Sequence, residues 1–356
     1  MKSAILRGLI LLGIFSLALP TLYPAAQETP PFPADEGRVL LAAVGDIYLG
    51  GSLGERIRRE GPDYPWRGTA EILKKADLRL GNLESVLSRA GRVYVEKEYT
   101  LRADPEAVAA LRAGGFNVVS LANNHAMDYG WPPLKETLDL LDREGIAHCG
   151  AGADLAAARA PALLTVNGLR LAFLAYSLTY PKEFYATSSR PGTAPGYEAY
   201  LRADIPAAKA QADLVVVFFH WSGEGLNYPR DYQRRLGRLA VDLGAALVLG
   251  HHPHVLQGLE VYHGGLIAYS LGNFAFGSYS ERAKDSIILL VELDRAGLRQ
   301  AWVYPVNVYN REVAFQTRRR TGEDAARVLA DLKRYSASFG LLLQPEDGYG
   351  VIPVRP

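Results

Sequence analysis

Short apolar runs recur along this chain, each followed by a polar motif, with amphipathic segments between many of them. The runs are Val39–Val44, Leu78–Leu80, Phe116–Leu121, Leu169–Tyr176, Leu214–Phe219, Ala245–Leu249 and Leu266–Ser270. Their length and apolar continuity predict buried strands. Helices are predicted over Thr69–Ala76, Pro105–Ala113, Pro132–Glu144 and Asp231–Leu243. In the second of these, Asp104 and Pro105 supply an N-cap and a first-turn proline, and Gly114-Gly115 supply a stop. In the third, Leu134, Leu138 and Leu141 form an apolar stripe, and Lys135, Glu136 and Asp139 fall on the other face. Strands alternating with helices point to α/β layers.

From Asp285 the text turns β-like. Ile287–Leu293 and Ala301–Pro305 flank a turn at Asp294–Gly297, which predicts a hairpin of scaffold rather than chemistry. A last helix is predicted over Gly322–Tyr335, preceded by Arg318-Arg319-Arg320, read as solvated surface. The division that follows is a leader at 1–26, a Pro-rich linker at 27–37, a main domain at 38–317, and a C-terminal helix and tail of the same unit at 318–356.

Composition narrows the class. A chain of 356 residues with 49% hydrophobic content can bury a real core. Lys and Arg number 39 against 38 acidic residues, a net charge of +1, so no electrostatic footprint for nucleic acid exists. At the N-terminus, Lys2 and Arg7 precede the apolar stretch Gly8–Leu19, the pattern of an export signal. It is either cleaved near Ala26 or kept as an anchor, and it places the protein outside the cytoplasm, in the cell envelope. Cys149 is the only cysteine, so no internal disulfide forms, and its place before Gly150 suits a small buried residue.

The chemistry lies just after the strands. His251, His252 and His254 fall within four residues of a chain that has only seven histidines, in Gly250-His-His-Pro-His directly after an apolar run. Imidazole is the commonest metal ligand, and a turn at Gly250 and Pro253 lets closely spaced histidines converge. Other strand ends carry Asp46, then Asn82 and Glu84, then Asn123-Asn124-His125 with Asp128, then His220-Trp221. In α/β sheets such ends gather at a common rim. Carboxylate oxygens with imidazole nitrogens suit Mn, Zn or Fe, and the donors suffice for one or two divalent ions. Asn82, Asn123, Trp221 and Asn273 are the expected substrate contacts.

Residues 40–276, through GDIYLGG, GNLES, EYTLRADPEAVAALRAGGFNVVSLANNHAMDYG, FFHW, GHHPHVLQG and YSLGNF, resemble the bacterial capsule synthesis (CapA, or PgsA-type poly-γ-glutamate synthesis) family. That family is similar to calcineurin-like metallophosphoesterases, which implies a layered α/β/β/α sandwich with a two-metal centre at the strand ends. By this resemblance Asp46 is a carboxylate ligand, Glu84 the bridging carboxylate, and Asn124 and His220 ligands. Two of the three clustered histidines complete the set, His254 first and His252 second, with His251 as the alternative. His125 becomes the acid for the leaving group, oriented by Asp128. One departure stands out: Tyr48 occupies the position of a histidine ligand in those enzymes, which weakens one metal position. The resemblance implies a metal-dependent hydrolase in capsule or polyglutamate-type polymer production, or else a non-catalytic protein that holds polymer in a metal-lined groove. The expected partners are an anionic polymer or a small-molecule substrate and a membrane capsule-synthesis complex.

Overall fold

In the computed structural model, residues 37–353 are described; the leader and most of the linker fall outside them. Two sheets face one another. The first is built from β1 (Arg38–Ile47), β2 (Leu78–Leu83), β3 (Val118–Ser120) and β4 (Ala147–Cys149). The second takes β5 (Ala162–Val166), β6 (Leu169–Ser177), β7 (Leu214–His220), β8 (Leu247–His251), β9 (Leu259–Tyr262) and β10 (Gly265–Ala268). The chain then returns to the first sheet with β11 (Asn273–Ala275), β12 (Asp285–Asp294), β13 (Gly297–Asn307), β14 (Gln344–Glu346) and β15 (Tyr349–Pro353). Among the described residues the first sheet runs β14-β15-β13-β12-β1-β2-β3-β4, with β11 also paired to β1; the second runs β9-β10-β8-β7-β6-β5.

Side-chain parity sets the layers, because successive residues of a strand face opposite ways. In β6 and β7, Leu171, Phe173, Ala175, Leu214, Val216 and Phe218 join the core between the sheets, beside Leu41, Leu80, Leu289 and Val291. Their neighbours Ala172, Leu174, Val215, Val217 and Phe219 belong to a second core. There they meet α4 (Glu198–Lys209) through Leu201 and Ile205, and α5 (Asp231–Asp242) through Leu236 and Ala240. The outer side of the first sheet carries α1 (Gly51–Glu60), α2 (Val108–Ala113) and α3 (Trp131–Arg143). The last helix, α6 (Gly322–Tyr335), inserts Val328, Leu329 and Leu332 into the inter-sheet core. Each such side chain contributes roughly 1.5–3 kcal/mol of burial free energy. The result is the layered α/β/β/α sandwich expected from the sequence.

Several local expectations need correction. The Thr69–Ala76 helix is only Ala70–Leu73. Pro105–Ala107 is a 3-10 turn leading into α2, and Asp104 does not cap it; its carboxylate pairs with Arg58 at 2.6 Å and Arg89 at 3.0 Å. Arg318 and Arg319 are exposed as read, but Arg320 is buried and pairs with Asp285 at 2.8 Å. In the tail after α6, β15 pairs with β13 and β14 pairs with β15. Cys149 is buried and free, and burial pushes its thiol pKa up. No helix among the described residues is long and apolar enough to cross a membrane.

Two glycines bring strand backbones close enough to form a rim. At Gly45 a Cβ would fall 1.9 Å from the Gly272 carbonyl oxygen, and at Gly250 a Cβ would fall 2.0 Å from that of Tyr269. Any larger residue would push these segments apart. At Asp46, β1 exchanges its antiparallel partner β12 for the parallel strand β11, pairing Asp46 with Asn273. The carboxyl ends of β1, β2, β7 and β8 thereby open on one edge.

Candidate metal centre

Asp46 ends fully buried beside the histidine loop. His251 Nδ1 lies 3.1 Å from its Oδ1, and His254 Nδ1 lies 3.0 Å from its Oδ2. The Asn82 amide donates to Asp46 Oδ1 at 2.9 Å and to Glu84 Oε2 at 3.2 Å. Asn123 in turn donates to Asn82 Oδ1 at 3.0 Å and to the Leu83 carbonyl at 2.8 Å. Asn82 and Asn123 were expected at the substrate, but both are fully buried and serve as braces for the two carboxylates.

Glu84 stands at the centre. Its Oε1 is buried and accepts no hydrogen bond. It lies 3.6 Å from His220 Nε2, 3.7 Å from His254 Nε2 and 3.9 Å from His125 Nε2. A carboxylate oxygen left bare among three imidazoles is poorly explained by protein contacts alone, since buried polar atoms nearly always find a partner. Burial, and then the nearby Asp46 charge, raise the Glu84 pKa well above the usual carboxylate range. Burial also pushes Asp46 upward, but the bonds from His251 and His254 outweigh it and hold that carboxyl well below its ordinary value.

Donor atoms of Glu84, His220 and His252 lie within 4.8 Å of one another, and so do those of Asp46, Glu84 and His254. Glu84 belongs to both groups. Asn124 Oδ1 sits 2.7 Å from His220 Nε2, on the side of the first group. The donor set is oxygen and nitrogen, buried and convergent, and fits divalent ions. Burial lowers the pKa of His220 well below 6.5 and that of His252 to about 3, keeping both rings neutral as metal binding requires. Burial alone would lower His254 too, but the charges of Glu84 and Asp46 raise it to about 10. His252 and His254 adopt φ of 90° and 57°, left-handed values that non-glycine residues seldom take. Such strain concentrates at functional loops. His251 instead keeps the parity of β8, lies beside the Phe218 ring on the inter-sheet side, and contributes to neither group.

His125 stands at the edge of this cluster with Nδ1 2.7 Å from Asp128 Oδ2. The Lys97 ammonium also approaches Nδ1, at 3.1 Å, but the carboxylate is closer and only accepts, which assigns the proton to Nδ1 and leaves Nε2 facing the cluster. Burial lowers the His125 pKa and Asp128 works against that fall. Asp128 is itself fixed by the Leu101 amide at 2.6 Å and by the Lys97 ammonium 2.7 Å from Oδ1. Lys97 was not singled out in the sequence; it lies in a polar stretch with no strand before it, and only the fold brings it here. Glu224 was missed as well, although it follows His220 by four residues.

Trp221 is a correction. It follows His220, so strand parity sends it to the opposite face, where its ring stacks on Phe219 at 4.5 Å and its Nε1 donates to the Tyr269 carbonyl at 2.9 Å. It is a core residue. Asn273 keeps a place at the site: its Oδ1 lies 2.9 Å from His254 Nδ1, and its Nδ2 has no partner. A cavity of about 590 Å³ opens over the cluster, lined among others by Tyr48, Tyr99, His125, Glu224, His254 and Asn273. A larger one of about 650 Å³ beside α1 is walled by Arg58, Arg89, Asp104 and Glu106, which pair among themselves, and holds no member of the histidine cluster.

The family model described as bacterial capsule synthesis protein PGA_cap matches residues 40–278. The PGA biosynthesis protein CapA of Bacillus subtilis (strain 168) is 35% identical over 299 residues, covering 83% of this chain and 79% of its own. The capsule biosynthesis protein CapA of Bacillus anthracis is 34% identical over 305 residues, covering 84% of this chain and 74% of its own. Among solved structures, the NAD nucleotidase of Haemophilus influenzae aligns with a TM-score of 0.46 at 13% identity, over 83% of this chain and 62% of that one.

Proposed function

Because the chain belongs to the bacterial capsule synthesis protein PGA_cap family, we propose that it is an exported, metal-dependent hydrolase of the cell envelope serving capsule or polyglutamate-type polymer production. The observation that carries the metal reading is Glu84 Oε1, buried and unpartnered among His220, His254 and His125. Asp46, Glu84, Asn124, His220, His252 and His254 would hold one or two divalent ions. Such ions supply Lewis acidity toward a phosphoryl or carbonyl oxygen.

The remaining work falls to the chain itself. Asn82 and Asn123 hold the two carboxylates in place. His125, with Nδ1–H bound to Asp128, presents Nε2 toward the cluster; as the imidazolium, which Asp128 favours, it gives the Nε2 proton to the leaving group and returns to the neutral ring. Asn273 lines the cavity with a buried Nδ2 that has no partner, a donor for a substrate oxygen that reaches down to it.

A second reading is a non-catalytic, metal-containing polymer-binding component, working with an anionic polymer and a membrane-bound synthesis complex. Tyr48 favours it, since its hydroxyl donates to the Arg102 carbonyl at 3.3 Å and offers nothing to the cluster. Metal analysis of the purified protein, coupled to hydrolysis of a generic phosphodiester with added Mn²⁺, separates the two. Bound metal with turnover that His125→Ala removes supports the hydrolase; bound metal without turnover supports the binding protein.

A further inference from the structure

Tyr48 leaves one of the two donor groups short. Asp46, Glu84 and His254 make three protein donors on that side, whereas Glu84, His220, His252 and Asn124 make four on the other. A further carboxylate stands close by. A carboxylate oxygen of Glu224 and one ring nitrogen each of His252 and His254 lie within 4.8 Å of one another.

Three observations single out this carboxylate. Glu224 accepts no hydrogen bond and forms no ion pair among the described residues, although it lines the cavity above the cluster. His252 is only 8% exposed and keeps a buried ring nitrogen, Nδ1, without a partner. The loop that carries Glu224 is also tied to the histidine loop. The Gly225 amide donates to the Pro253 carbonyl at 2.8 Å, Asn227 donates to the Leu256 carbonyl at 3.0 Å, and Gln257 donates to that of Leu226 at 2.7 Å. Ser222, at φ 76°, turns the chain sharply just after His220 to bring Glu224 over the cluster.

We propose that Glu224 is a ligand to the divalent ion held by His254, reaching it from the cavity side and supplying the donor that Tyr48 withholds. This rests on the metal-centre reading above. Glu224 thus closes a deficient coordination shell with an exposed, rotatable carboxylate instead of a rigid strand-end histidine. Hard carboxylate oxygen added to one imidazole shifts the preference of that position toward Mn²⁺ or Mg²⁺ and away from softer ions.

The test is titration of Mn²⁺ into chelator-treated full-length protein, followed by calorimetry and by the electron paramagnetic resonance of free Mn²⁺. The variants are Glu224→Gln and Glu224→Asp. The expected result is a drop of at least about tenfold in affinity for one ion in Glu224→Gln, with the other ion unchanged and partial recovery in Glu224→Asp. Wild-type protein that binds Mn²⁺, with both affinities unchanged in Glu224→Gln, would overturn this ligand assignment and leave the metal centre standing. Wild-type protein that binds no Mn²⁺ would overturn both. An exposed side chain without partners makes Glu224→Gln safe for folding, which circular dichroism checks.

Discussion

The two halves of the cluster share Glu84 and differ in everything around it. On the His220 side, Asn124, His252 and the His125–Asp128 pair surround the carboxylate, and burial keeps His220 and His252 neutral. On the Asp46 side, His254 carries a raised pKa, and the neighbouring Tyr48 turns its hydroxyl to the Arg102 backbone. The lesson is that a strand-end rim is an assembly of independent positions. One half can keep its full donor set while the other is thinned by a single residue and depends on a loop carboxylate.

Glu84→Gln strikes both halves and gives the largest expected effect. It abolishes tight metal binding altogether, read as metal content after gel filtration. The same change raises the melting temperature of the chelated protein at neutral pH, because it removes a carboxyl whose charged form burial disfavours. A variant that retains stoichiometric metal would break the idea of a shared carboxylate.

His125→Ala separates proton transfer from binding. Metal content stays at the wild-type level and phosphodiester turnover falls by about 10²- to 10⁴-fold. Equal turnover in variant and wild type would remove His125 from the acid role and sharpen the case for a binding protein.

Tyr48→His addresses the deficient half alone. It should strengthen the weaker Mn²⁺ site by roughly tenfold, the scale of one added contact, and leave the stronger site as it was. If the stronger site responds instead, the assignment of halves is reversed.

A last effect is one of pH, small close to pH 6.5 and read on chelated protein. His252 has a folded pKa of about 3 against an ordinary 6.5. A depressed pKa means the unfolded chain binds a proton that the folded ring refuses, so this contribution is intact above 6.5 and is lost as pH falls. Wild-type protein should lose stability relative to His252→Gln by roughly 1.4 kcal/mol per pH unit below that point. Parallel denaturation curves at pH values on either side of 6.5 provide the measurement, and a constant difference between the two proteins would contradict it.

Much of this was legible before the fold was seen, and the residues show why. β1, β7 and β8 announce themselves as apolar runs because both of their faces are buried, and β2 does so through Leu78 and Leu80 on either side of Arg79, so Asp46, Glu84 and His220 could be placed at strand ends. Trp221 misled because adjacency along a strand means opposite faces in space, whereas His251 shares the face of His220 but turns Nδ1 to Asp46 Oδ1 at 3.1 Å and joins neither donor group. Lys97 and Glu224 lie in polar loops whose paths depend on distant packing. No local pattern marks them, and only their three-dimensional neighbours give them meaning. Asn82 and Asn123 were recognised as site residues, but their depth decided that they brace carboxylates instead of meeting substrate.

The most direct test of the metal centre is a Mn²⁺ titration of the chelated wild-type protein by calorimetry. Two ions per chain are expected, with affinities separated by at least about tenfold, as follows from one full and one thinned donor set. Two equal sites would contradict the inequality of the halves, and no binding would contradict the centre itself.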